Sequence, residues 1–239
     1  MSDSLESVQR KPLKEEIFDI LHNRIIAGKV APGEWLRQED ISSQLGVSQT
    51  PVREALDLLV SAGLAERVPY RGVRVLQLNA DEIADAYAMR LLLESTAAHA
   101  AASNCTAEQL EVLRALIEKT RPLVALSEMS MQRQLNREFH QMLVAASGNP
   151  LLARLYAMVA NQFPDWMLYE YMFRHPELLE ASLAQEYREH LAIVEAIAAG
   201  QGQTAAQQAR EHIRNLGREL VTFLQVPEEL LIERETLLL

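Results

Sequence analysis

Three histidines and one asparagine carry the first chemical signal in this 239-residue chain. His190 stands about ten residues before the turn at Gly200, and His212 about eight residues after Thr204. On antiparallel helices rising about 1.5 Å per residue, the two imidazoles then sit at nearly the same height. His140 lies on another helical segment, with Asn136 one turn before it on the same face. Together they offer three neutral ring nitrogens and an amide oxygen. Such a set suits a borderline divalent ion of the zinc, nickel or manganese type, with positions left open for a small oxygen ligand. A histidine taken singly is more often an ordinary core or surface residue. His22, His99 and His175 have no comparable partners and read as structural or exposed.

A second group of polar residues opens a different helix. Gly46 ends one helix, and Ser48 is placed to cap the next by accepting from a free first-turn N–H. Pro51 fits the first turn, where N–H groups have no partner to lose. Val52, Ala55, Leu56 and Leu59 follow at helical spacing and predict one buried face. Gln49, Thr50 and Arg53 lie near the helix start and off that face. Polar groups on a rigid exposed helix end are what a recognition helix brings to base edges. The competing role for Arg53 is an ion pair with Asp57 on the same helix.

The elements that must position these groups divide the chain. Residues 1–11 lack a hydrophobic period and read as a flexible tail. Leu13, Ile17, Ile20, Leu21 and Ile25 repeat at three and four, up to a stop at Gly28. A short helix with Ile41 and Leu45 follows a Pro32-Gly33 turn, then the helix from Ser48 to Ala62. Two β-prone runs, from Leu64 to Val68 and from Val73 to Leu78, flank Pro69-Tyr70-Arg71-Gly72. Residues 12–78 are therefore expected to form a winged helix-turn-helix with a basic wing tip.

Residues 79–239 read as helical throughout. Asn79 caps a helix from Ala80 to about Ala102. Thr106-x-x-Gln109 is a capping box for a helix to about Leu126. A third helix runs from Met129 to Ala146, and Pro150 opens a fourth that should kink near Pro164. Leu178 to Ala199 make a fifth, after Pro176. Thr204-x-x-Gln207 caps a sixth, to about Leu224, before a charged, weakly periodic end. The fold class is mainly α: a winged helix-turn-helix followed by an antiparallel bundle of six or seven helices.

Composition limits the function classes. Ala, Leu, Glu and Gln favour helix, and Gly and Pro number only nine each. A single cysteine, Cys105, excludes an internal disulfide and fits a reducing, cytoplasmic setting; no apolar stretch approaches a membrane span. A net charge of −10 looks wrong for a DNA binder. The first 76 residues, however, carry 10 Lys+Arg and 11 Asp+Glu, and the remainder 13 and 22. DNA contacts must come from local clustering, and non-specific affinity should be modest and salt-dependent.

The run IIAGKVAPGEWL…ISSQLGVSQTPVREALDLLVSAGLAERVPYRGVRV resembles the DNA-binding domain of the GntR family of bacterial transcription regulators. Arg90-Leu-Leu-Leu-Glu94, Phe139-His140 with Ala146-Ser-Gly-Asn149, Glu189-His190 and Arg210-Glu-His212-Ile213 resemble the FCD effector-binding domain of its FadR branch. The resemblance implies DNA contacts by Arg37, Ser48, Gln49, Thr50, Arg53, Arg71 and Gly72, the last two entering the minor groove. Many relatives have Arg where this chain has Gln49. Glutamine pairs well with adenine N6/N7, so the operator should differ there. Glu39 replaces a usual arginine and loses a phosphate contact that Arg37 can partly replace. FCD domains often hold a metal by an Asp and three His. Asn136 occupies the Asp position, removes one negative charge and should weaken that metal. The resemblance also turns Arg90, with Glu94, toward an effector carboxylate. The plain alternative is an ordinary i, i+4 helix pair.

The expected function is a homodimeric regulator, a repressor, on a palindromic operator with half-sites about one DNA turn apart. A small carboxylate metabolite in the bundle, held by the metal, would control it. Two alternatives remain: a sensor of the metal alone, and a metal-dependent hydrolase. The hydrolase needs a base beside the metal water, and Glu189, adjoining His190, points about 100° away around its helix.

Overall fold

The winged unit of this computed structural model is built on α3 (Gln49–Ser61). Its buried residues are Val52, Ala55, Leu56 and Leu59, the face that the spacing predicts. α1 (Leu13–Ile26) and α2 (Gln38–Leu45) both pack against α3. Ile17, Leu21 and Ile25 of α1 are buried. Gly46 ends α2 at φ 66°, the left-handed conformation a glycine adopts without cost.

The sheet has three strands, not the two expected. β1 (Trp35–Leu36), β2 (Ala65–Val68) and β3 (Gly72–Val75) lie in the order β1-β3-β2, all antiparallel. Trp35 pairs with Arg74, and Leu36 with Val73. A two-residue strand has no period to detect. β2 pairs with β3 from Ala65↔Val75 to Val68↔Gly72, so the wing tip is Pro69-Tyr70-Arg71.

Two compact units divide between Gln77 and Leu78. The structure describes residues 12–26, 29–125, 128–160, 168, 171–172 and 175–238, with the side chains of 26 and 130 left out. The expected tail over 1–11, the helix stop at Gly28 and the kink near Pro164 lie outside the described residues.

The second unit contains seven helices among the described residues. α4 (Ala80–Asn104) is the central one, and α6 (Met129–Ala146), α7 (Pro150–Ala160), α8 (Pro176–Ala198), α9 (Gly202–Leu224) and α10 (Glu228–Leu238) all pack on it. Buried positions lie all round α4, from Ile83 and Tyr87 to Ala97 and Ala101, as befits a helix surrounded by others. α5 (Ala107–Thr120) packs on α6 and α8. The capping boxes of Asn79 with Glu82 and of Thr106 with Gln109 are both formed.

Three boundaries differ from expectation. α5 stops at Thr120 rather than near Leu126, because Pro122 has no N–H to continue the hydrogen-bond ladder, although Arg121 before it keeps helical angles. α9 starts at Gly202, with Gln201 as N-cap, so Thr204 is inside the first turn and caps nothing. The charged C-terminal end is a helix, α10. Its Leu231 is buried, and Arg234 pairs with Asp81 (3.0 Å) and Asp85 (2.6 Å) of α4.

Candidate DNA interface and candidate metal centre

The start of α3, the start of α2 and the wing tip enclose one concavity of about 610 Å³. Arg37, Gln49, Arg53, Arg71 and Gly72 line it, with Gln38, Glu39 and Arg67. Arg37, Arg53 and Arg71 are exposed and make no ion pair among the described residues. Asp57, the alternative partner of Arg53, is taken by Arg67 of β2. Arg67 was not among the residues chosen from sequence; its spacing carries no mark, and β pairing alone brings it here. Ser48 and Thr50 are exposed at the helix start, outside the lining.

Ser48 has the extended N-cap backbone but makes no side-chain cap bond, contrary to expectation. The reason is in the sequence. Pro51 is the third helical residue and has no N–H to give. The Ser48 hydroxyl therefore stays available to a phosphate. Tyr70, also not singled out, projects fully into solvent at the wing tip with φ 63°, a conformation uncommon outside glycine.

In the helical unit, α6, α8 and α9 bring His140, His190 and His212 together, with one ring nitrogen of each within 4.8 Å of the others. His190 Nε2 is 3.4 Å from His212 Nε2, as the matched heights require. All three rings are buried. His190 stacks on Phe139 with centroids 4.0 Å apart.

Two carboxylates fix two of the rings. His140 Nδ1 lies 2.6 Å from Glu94 Oε2, and His212 Nδ1 lies 2.7 Å from Glu189 Oε2. A carboxylate only accepts, so at His212, where the contact has hydrogen-bond geometry, Nδ1 is the donor; His140 and Glu94 approach closely without that geometry. Carboxylates on the far nitrogen are what orient histidine ligands at metal centres. Glu189 is itself held by Gln185 Nε2 (2.8 Å) and Asn215 Nδ2. Glu94 also takes Arg90 Nε at 2.7 Å.

Burial lowers the His140 pKa, with Glu94 opposing, and lowers that of His190 further, with the neighbouring positive charges assisting. Burial alone would raise Glu94. Arg90 and His140 overcome it and hold this carboxyl well below the usual range. Glu189 is likewise low: burial raises it, but His212 together with the hydrogen bonds from Gln185 and Asn215 overcomes that. The centre thus holds carboxylates of lowered pKa, Glu94 and Glu189, beside two imidazoles, His140 and His190, that burial disfavours charging.

A cavity of about 60 Å³ opens on this cluster. Arg90, Asn136, His140 and His212 line it, together with Glu186, Glu189 and Glu219. His190 and Glu94 lie outside the lining. Glu94, expected beside Arg90 at an effector, is instead 1% exposed, with its two oxygens on Arg90 and His140. The role of Glu189 also differs from the one weighed in sequence. It faces away from its neighbour His190, and it serves the ring across the helix hairpin. The same height matching that pairs His190 with His212 could have found it. Trp166, Met167 and Tyr169 lie outside the described residues; Tyr171 stacks on Phe223 at 4.4 Å.

Comparison with known proteins agrees with this division. The sequence pattern of the gntR family of bacterial regulatory proteins matches residues 13–75, and that of the FCD domain matches residues 82–215. The HTH-type transcriptional regulator BphR of Paraburkholderia xenovorans (strain LB400) is 28% identical over 214 residues, covering 86% of this chain and 84% of its own. The "Probable D-xylose utilization operon transcriptional repressor" of Paenarthrobacter nicotinovorans is 30% identical over 154 residues, 64% of this chain and 68% of its own. In fold, the chain resembles the solved structure of E. coli McbR/YncC, with TM-score 0.62 and 22% identity over 90% of this chain and 100% of that one. No described helix is long and apolar enough to cross a membrane. The chain belongs to the GntR family of bacterial regulators, with an FCD domain following its winged helix, and is a DNA-binding transcriptional regulator, not an enzyme.

Proposed function

We infer that the helical unit senses a small carboxylate metabolite through a divalent cation, and that the ligand controls operator binding by a homodimer. The observation that carries this reading is the convergence of three buried histidines, two of them fixed by Glu94 and Glu189, on a cavity that Arg90 also reaches. The His190 and His212 Nε2 atoms face one another at 3.4 Å beside the His140 ring, and neutral imidazoles are the form a metal takes. His140, His190 and His212 would hold it, with Asn136 as a neutral fourth group. Such a cation would act as a Lewis acid toward a ligand oxygen. Glu186, Glu189 and Glu219 also line the cavity, so an anionic ligand needs that cation and Arg90 to hold it.

On the DNA side, Arg53 and Gln49 are the base readers. Arg37, Ser48 and Thr50 hold phosphate, and Arg71 and Gly72 enter the minor groove. Two recognition helices in a dimer span half-sites of a palindrome, and the ligand favours the state that does not fit both. The relative named for D-xylose utilization is a repressor by name, which supports repression as the sign of control. Effector and operator must then weaken each other by the same factor.

A second reading, a sensor of the metal alone, is favoured by the cavity size. About 60 Å³ is room for roughly two waters. Metal-stripped protein titrated with zinc against a chromophoric chelator tests the centre. His212→Ala should lose affinity about 100-fold, and Asn136→Asp should gain about tenfold by adding a negative charge. Unchanged binding in His212→Ala sinks the metal centre. Fluorescence anisotropy on operator DNA, with zinc alone and then with lactate, malate or citrate, separates the two readings.

A further inference from the structure

The most exposed aromatic ring of the described chain sits at the wing tip. Arg71 N donates to Val68 O at 3.0 Å and closes a four-residue turn, with Pro69 second and Tyr70 third. Proline suits the second place, because its ring presets the backbone. The third residue has φ 63°. A turn of this kind takes glycine or asparagine there, since a Cβ in the left-handed region crowds the following carbonyl. The wing does use glycine at its other positive-φ position, Gly72, at φ 112°. Tyrosine at position 70 therefore strains the backbone, and nothing inside the protein offsets that strain. The ring is 108% exposed, against 72% for Leu237, the next most exposed large apolar side chain among the described residues.

Continuity with the DNA face decides what covers the ring. Arg71 and Gly72, the next two residues, line the concavity that also holds Arg53, and Tyr70 stands outside that lining. A duplex seated in the concavity passes the tip, so Tyr70 meets its border. The duplex surface there alternates phosphates with deoxyribose, the apolar part of the backbone. Arg71 suits the first and a neutral ring the second. A phenol neutralises no phosphate; it gains by removing carbon surface from water.

We propose that Tyr70 is a DNA-contact residue: its ring packs on the deoxyribose wall of the minor groove beside Arg71, so that a strained turn contributes operator affinity. This rests on the reading that the wing docks in the minor groove, and Arg71→Ala tests that reading separately. Full-length wild type, Tyr70→Gly, Tyr70→Phe and Arg71→Ala are titrated by fluorescence anisotropy, across a salt series, on a duplex that wild type selects from a randomised library. Hydroxyl-radical footprints, which report the deoxyribose hydrogens of the minor groove, are taken at saturation.

Tyr70→Gly should weaken binding about fivefold to twentyfold with the slope of log K against log salt unchanged, because an apolar contact releases no counterion. Its urea midpoint should hold or rise, because glycine accepts a positive φ without strain. Its footprint should lose about one or two protected sugars at the wing edge of each half-site, and nothing elsewhere. Tyr70→Phe keeps the ring and should stay within about twofold of wild type, with the same footprint. Arg71→Ala should lower the salt slope by about one. If Arg71→Ala changes neither affinity nor slope, the wing is off the DNA and the proposal falls with that reading. If Arg71→Ala weakens binding while Tyr70→Gly leaves affinity and sugar protection as in wild type, the proposal alone is overturned. A loss shared by Tyr70→Phe assigns the contact to the hydroxyl, and a lowered midpoint in Tyr70→Gly assigns the ring to the wing's own stability; either result overturns it.

Discussion

Arg53 on α3 and Arg90 on α4 are the same residue type in opposite surroundings. Arg53 is exposed, and its guanidinium has no ion-pair partner among the described residues. Arg90 is 4% exposed, with its Nε on Glu94, whose other oxygen holds His140. The difference extends to their regions. The recognition face leaves Arg37, Arg53 and Arg71 open, so a phosphate or base completes them by displacing water and counterions. The histidine centre pairs its buried charges internally, Arg90 with Glu94 and Glu189 with His212, before any ligand arrives. A surface that meets a large, charged partner can stay hydrated until the encounter. A buried centre cannot, because an unpaired charge without water is strongly destabilising.

This contrast can be broken by exchanging losses. Glu94→Ala removes the buried carboxylate between Arg90 and His140 and frees His140 to turn. It should cost about 3–5 kcal/mol of stability, read as a lowered urea midpoint. A cost below about 1 kcal/mol would mean that the Arg90–Glu94–His140 chain is not preorganised. Arg53→Ala should do the reverse. Stability stays within about 0.5 kcal/mol, while operator affinity falls by about 1–3 kcal/mol in anisotropy titrations. Equal losses in both assays for both variants would erase the distinction.

A smaller effect comes with pH. His140 and His190 have folded-state values lowered by burial from 6.5, so both stay neutral in the fold and take up protons on unfolding. Their contribution is full above about pH 6.5 and is lost as the pH falls below it. The slope is up to about 1.4 kcal/mol per pH unit for each proton taken up only on unfolding. Glu94, held low, contributes above its unfolded value near 4.5, and its share is lost only in stronger acid. Urea unfolding of metal-stripped protein between pH 7.5 and 5.5 reads the histidine share. A flat midpoint there would show rings already charged in the fold.

Much of the fold was legible because it is local. The caps at Asn79 and Thr106 depend on side chains three residues apart, and both formed. Thr204-x-x-Gln207 has the same spacing, yet its helix begins three residues earlier than that cap implies, at Gly202. A Cβ on Gly202 would meet the His99 carbonyl and ring at 3.0 Å, so this glycine lets α9 start against α4. That is a packing decision with no local trace. Ser48 makes no cap bond for a local reason, the missing N–H of Pro51 at the third helical position.

What the sequence determined by itself was the periodicity of each helix, the polar start of α3, and the equal heights of His190 and His212. A fixed rise per residue and a short connection convert counting into distance. What only the tertiary structure decided was how far each helix turns about its own axis against its neighbours. That rotation put Glu94 on His140 and Glu189 on His212, and gave Asp57 to Arg67 rather than Arg53. Spacing along a helix says which side chains share a face. Only the packed neighbours determine what that face meets.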